Sequence, residues 1–131
     1  MKLSEINYDL SKPAEIEILN PLTHASFEKQ AFISVYSLES KVGKNAQLNI
    51  YRDMLAIKEN DDKKEISDEE MNEITIKHLS KLVAGWRGIE DEKGKEIEFS
   101  EEKALEILTK YELIFNVVNQ NVGNLGKFMK K

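Results

Sequence analysis

The chain has 131 residues, 40% of them hydrophobic and 33% charged, and it contains no cysteine. That describes one domain able to bury a core of its own, and it excludes a wholly disordered chain, disulfides, thiolate metal sites and a cysteine nucleophile. The net charge of −5 is uneven: residues 1–58 balance seven basic against seven acidic, residues 59–102 carry seven against fifteen (−8), and residues 103–131 carry five against two (+3).

An acidic middle repels a phosphate polyanion, and Lys127, Lys130 and Lys131 make too few phosphate contacts to offset it. Nucleic acid is therefore not an expected partner. No apolar run nears the ~20 residues of a bilayer crossing, and the opening MKLSEINYDLSKPAE lacks the apolar segment of a signal peptide. The expectation is a cytoplasmic protein without a membrane partner.

In chain order, residues 1–13 are polar and end at Pro13, an irregular lead-in. Ala14–Leu19 (AEIEIL) alternates apolar and acidic residues, the period of a half-buried strand. Asn20-Pro21 marks a turn. Ala31–Leu38 (AFISVYSL) is a second strand, rich in β-branched and aromatic residues, reached through an irregular loop around His24. Gly43 breaks the pattern. From Asn45, Ala46, Ile50, Met54 and Ile57 recur at helical spacing, with Leu48, Tyr51 and Leu55 alongside. Glu59–Glu65 (ENDDKKE) has no apolar residue and reads as a solvated linker or loop.

Ser67-Asp68-Glu69-Glu70 is a capping box. The helix it opens carries Met71, Ile74, His78 and Leu82 on one stripe and is expected to end at Gly85 in a left-handed cap. Asp91-Glu92-Lys93-Gly94 is a polar turn. Ser100 caps the next helix, with Ala104, Leu105, Ile107, Leu108 and Tyr111 on its apolar face and Glu101 and Glu102 favoured by the dipole in its first turn. Glu112–Asn121 continues helical, and Gly123 and Gly126 let the end fray. The fold class is α+β: a small N-terminal two-stranded β element followed by a bundle of three to four helices. The expected organisation is one compact domain, with residues 1–58 as β element plus first helix, 59–66 as charged linker and 67–131 as helical part.

Chemistry-bearing patterns are sparse. His78 lies on an apolar stripe and is not part of an HExxH, so it reads as a packed histidine. His24 reads as a surface residue. Asp61-Asp62 and Glu90–Glu101 lack the alternating ligands of a calcium loop. No Walker loop, GxGxxG or GxSxG occurs. The expectation is a non-enzymatic protein with no catalytic, cofactor-binding or metal-binding residues and no cofactor. Trp86, the sole tryptophan, anchors the core at the helix end or serves as an interface anchor. Arg87 can pair with the acidic turn at 90–92. Trp86 and Arg87 are the candidate protein-contact residues.

One series of residues resembles a known family. Leu82-Val83-Ala84-Gly85-Trp86-Arg87-Gly88-Ile89 is followed by the acidic turn with Gly94, the apolar pair Ile97 and Phe99, and then Ser100-Glu101-Glu102-Lys103-Ala104-Leu105. This is similar to the tail assembly chaperones of long-tailed bacteriophages or prophages. Asn20-Pro21-Leu22-Thr23 and Ile33-Ser34-Val35-Tyr36-Ser37-Leu38-Glu39-Ser40 agree more loosely, with Asn20 and Glu39 where that family often has Asp. The resemblance implies a non-enzymatic role in the bacterial host: binding the tape-measure protein, keeping it soluble and helping recruit tail-tube subunits. It also implies absence from the finished virion and, in many members, a second, longer form made by frameshifting. An exposed apolar stripe would favour self-association. The competing reading is a structural head–tail connector retained in the particle.

Overall fold

The computed structural model describes residues 1–60 and 65–129. The alternation read at Ala14–Leu19 is a strand, β1 (Ala14–Leu19), paired antiparallel with β2 (Ser26–Val35). Ile16 faces Ile33 across the ladder and Ile18 faces Ala31. Period two therefore turns Ile16, Ile18, Ile33 and Val35 to one face, where all four are buried. Four helices precede or follow a third strand: α1 (Lys41–Asn60) and α2 (Asp68–Leu79), then β3 (Val83–Arg87), then α3 (Glu101–Lys110) and α4 (Glu112–Val122). The sheet order is β1-β2-β3, with β2 central and both pairings antiparallel.

The α+β class holds, but the sheet has three strands rather than two. Helix α2 does not reach Gly85. It stops at Leu79, passes through a short 3-10 turn at Ser80–Leu82, and becomes strand. Gly85 lies opposite Ser34 in the ladder and is not a helix cap. The run Leu82-Val83-Ala84-Gly85-Trp86 is apolar on either period, and the free edge of β2 decides the matter by offering its backbone groups partners. The second strand also shifts, running from Ser26 to Val35 rather than from Ala31 to Leu38. A bulge between Ile18 and Leu19, with His24 in the left-handed region at φ 58°, closes the β1–β2 connection tightly. Beyond Val35 the chain leaves the sheet, and the Leu38 N–H donates to the Val122 carbonyl at 2.9 Å.

Packing follows from these faces. Helix α4 lies on β1 and β2, α1 packs on α2, and α2 and α4 both touch α3. Ile33, Val35, Leu82, Leu108, Val118 and Val122 are essentially inaccessible to solvent at the centre. Both predicted caps form: Ser67 Oγ accepts from the Glu70 N–H at 3.1 Å while Glu70 accepts from the Ser67 N–H at 3.2 Å, and Ser100 Oγ accepts from the Lys103 N–H at 3.0 Å. Tyr111 adopts extended backbone (φ −116°, ψ 97°), so α3 and α4 are separate helices meeting at a bend. The described residues after Gly123 do not fray. A 3-10 turn at Leu125–Phe128 buries Phe128, and its carbonyl accepts from the Asp9 N–H at 2.9 Å, tying the lead-in to the core. Of the charged linker, Glu59 and Asn60 belong to α1, while residues 61–64 lie outside the described residues, as do Lys130 and Lys131.

Helix α1 begins at Lys41, four residues before Asn45, because Ser40 caps it and Gly43 fits inside its first turn. The Ser40 hydroxyl accepts from the Gly43 N–H at 3.1 Å. Gly43 is buried, and a Cβ there would collide with the Ser37 carbonyl and the Leu38 backbone. At an open helical position Gly→Ala stabilises by up to about 1 kcal/mol. Here Gly43→Ala should instead destabilise by about 1–3 kcal/mol, the usual cost of overpacking, read as a lower urea midpoint at unchanged slope.

Candidate protein-contact site

Strand β3 delivers its two candidate residues to different places. Trp86 sits opposite Ile33 and is half-buried. Its indole N–H donates to the Ile97 carbonyl at 2.7 Å, and its ring meets Phe99 edge-to-face at 4.9 Å between centroids. These contacts pull the segment after β3 back onto it. Gly88 makes the turn possible, with φ +80° and a backbone approach to Gln30 that leaves no room for a Cβ. The Ile97 N–H then donates to the Ile89 carbonyl at 2.8 Å, and Asp91 Oδ1 accepts from the N–H groups of Lys93 and Lys95, each at 2.9 Å. The polar turn at 91–94 is thus the tip of a ribbon folded back on itself.

Arg87 does not pair with the acidic turn. Strand alternation points it to the outer face of the sheet, opposite Phe32. There its guanidinium lies 3.9 Å from the Phe32 ring centroid and grips Glu15 with two hydrogen bonds, of 2.8 and 3.1 Å. Hydrogen bonding to Arg87 lowers the Glu15 carboxyl below its ordinary range, and Glu15 in turn raises the guanidinium. Arg87 therefore joins the two edge strands across β2. In the acidic turn it is Lys29 that approaches Glu90, at 3.6 Å.

Between the ribbon and the α3–α4 bend lies a groove of about 330 Å³. Ile89, Ile97, Ile107, Tyr111 and Ile114 make it apolar, and Glu90, Asp91 and Glu92 form an acidic rim. Tyr111 is 57% exposed at its edge. The sequence shows Ile97, Ile107 and Tyr111 as apolar positions of separate segments, but it does not join these five residues into one surface. The signal available was the pair Ile89 and Ile97 flanking a glycine-containing turn, a hairpin pattern; the contribution of Ile107, Tyr111 and Ile114 depends on the bend. Trp86 supports this region through Ile97 and Phe99, Arg87 lies on the other face of the sheet, and neither lines the groove.

Residues 42–131 match a family described as YdaY prophage protein. The chain belongs to the YdaY prophage protein family. No curated protein and no solved structure matches the chain. The family span runs from α1 to the C-terminus and holds Trp86, Arg87 and every residue named in the groove, whereas β1 and β2 precede it. A prophage origin agrees with the phage resemblance at that coarser level.

The two histidines occupy different elements of this prophage protein. His24 is exposed in the β1–β2 turn. His78 is only 3% exposed between α2 and α1, packed as expected. Its Nε2 lies 2.6 Å from Asp53 Oδ2 and donates to that carboxylate. Lys77 Nζ approaches the same oxygen at 3.5 Å. The His78 hydrogen bond, helped by the charge of Lys77, holds the Asp53 carboxyl below its ordinary 3.8. Among the described residues no three His, Asp or Glu side chains gather as a metal site, and no helix is long and apolar enough to cross a membrane.

Asp53→Ala leaves the buried His78 N–H without its acceptor and should cost about 1–3 kcal/mol at pH 7. A carboxyl depressed by folding contributes stability above its unfolded pKa and loses it as pH falls through the folded value. The gap in urea midpoint between wild type and Asp53→Asn should therefore be full above about pH 5 and shrink as pH falls below the ordinary carboxylate value of 3.8.

Proposed function

We propose that this prophage protein is a tail assembly chaperone, a non-enzymatic protein of the host cytoplasm that binds the tape-measure protein and helps recruit tail-tube subunits. The observation that carries the reading is the acid-rimmed apolar groove. Its ribbon wall, with Ile89, Ile97 and the acidic rim, comes from the same 82–105 series that resembles those chaperones. An apolar trough receives anchor side chains of an amphipathic helix, and carboxylates at its rim favour basic residues beside those anchors. A volume of about 330 Å³ takes the tip of one or two large side chains, which suits shallow contacts repeated along a long helical partner. A protein that must later leave the tail gains from such contacts, because each is released easily.

Co-expression with the tape-measure and tail-tube proteins of its own prophage tests this reading. The expected result is a soluble complex with the tape-measure protein, which is insoluble without this chain. Ile114→Glu, which places a charge in the groove lining, should weaken binding at least about tenfold, or about 1.4 kcal/mol. Because Trp86 is the only tryptophan and is bonded to the ribbon, its fluorescence should shift as the groove fills. Mass spectrometry of purified particles distinguishes the connector: a chaperone is missing from the virion, a connector is present. Absence of any complex with both tail proteins would overturn the chaperone reading.

A further inference from the structure

Helix α1 carries apolar residues on two opposite sides, and only one side is used. Its buried residues are Gly43 and Ala46. On the far side Leu48, Tyr51 and Leu55 are 47%, 58% and 39% exposed. At about 100° per residue these three fall within about 60° of one another and opposite Ala46 and Ile57. One turn before Leu48 comes Lys44, and one turn after Leu55 comes Glu59, both exposed. No ion pair between described residues holds either of them.

We propose that this outer stripe of α1 is a dimer interface that takes α1 of a second copy of the chain, running antiparallel. The order of residues argues for that occupant. A two-fold axis between Tyr51 and Arg52 sets Leu48 opposite the partner's Leu55, and Lys44 opposite the partner's Glu59 at both ends. It also brings Arg52 over the partner's Tyr51 ring, a favourable cation–π arrangement. A contact related by a two-fold must be self-complementary in this way, each residue meeting its counterpart twice. Parallel pairing would instead set Lys44 against Lys44 and Glu59 against Glu59. The stripe from Lys44 to Glu59 spans about 22 Å at 1.5 Å per residue, so the interface is small and the dimer should form at on the order of micromolar concentration. The proposal does not depend on the chaperone reading, since its test contains no other protein.

The experiment is sedimentation velocity of the full chain over a concentration series, with charge reversals. Wild type should pass from monomer to dimer. Leu55→Glu should stay monomeric throughout. Lys44→Glu should weaken the dimer about tenfold, because two attractive pairs become repulsive. Lys44→Glu combined with Glu59→Lys should restore it. Tyr51→Cys, in a chain that has no other cysteine, should form an interchain disulfide under oxidising conditions, since that position lies beside the axis. These exposed positions make no core contact, so the variants should keep the wild-type urea midpoint. A wild type that is monomeric at every concentration overturns the proposal. So does failure of the double reversal to recover the dimer, the outcome expected if α1 docks on another site of the neighbouring chain, such as the acid-rimmed groove.

Discussion

The open edge of β2 governs this structure. A central strand buried on one face cannot leave its remaining backbone donors and acceptors without partners. The hairpin with β1 satisfies one edge; Val83–Arg87 pairs with the other from Phe32 to Val35. To reach that edge the chain must abandon helical geometry just after Leu79, which it does through the 3-10 turn at Ser80–Leu82. Had α2 continued to Gly85, Trp86 would sit at a helix end instead of opposite Ile33, and nothing would hold the ribbon that follows.

From that capture the groove follows in steps. Once Trp86 is a strand residue, its indole N–H and ring reach Ile97 and Phe99. Gly88 lets the backbone turn close to Gln30. The ribbon then returns with Ile89 and Ile97 beside each other and the carboxylates at its tip. Tyr111, by interrupting the helix between α3 and α4, supplies the opposite wall. Arg87 works on the outer face of the same sheet, binding both edge strands through Glu15 and Phe32, so adjacent residues of one strand stabilise two separate surfaces.

Helix α1 shows a different balance. One side is held by close approach at Gly43 and by the Asp53–His78 hydrogen bond to α2. The other side keeps Leu48, Tyr51 and Leu55 in solvent. Neighbouring apolar residues on a soluble surface are costly unless something covers them at least part of the time. The groove and the α1 stripe thus give this prophage protein two apolar surfaces with different charge surroundings, one rimmed with carboxylates and one ending in a lysine and a glutamate.

Much of this was written in local sequence. The alternation of Ala14–Leu19, the capping box at Ser67 and Glu70, the Ser100 cap, the polar turn at 91–94 and the packed His78 were all legible, because each depends on side-chain period or on bonds within a few residues. The α+β class was legible for the same reason. What the sequence could not decide were the contacts made at long range. Val83–Arg87 fits helix or strand, and only the β2 edge chooses. Arg87 has acidic residues nearby in sequence, yet the sheet register gives it Glu15 instead. Gly43 reads as a breaker until Ser37 and Leu38 are seen against it. The groove combines a ribbon with a helix bend that no single period encodes. Local hydrogen bonding and hydrophobic period act over a few residues and can be read along the chain; edge pairing, close backbone approach and groove formation exist only when distant segments meet.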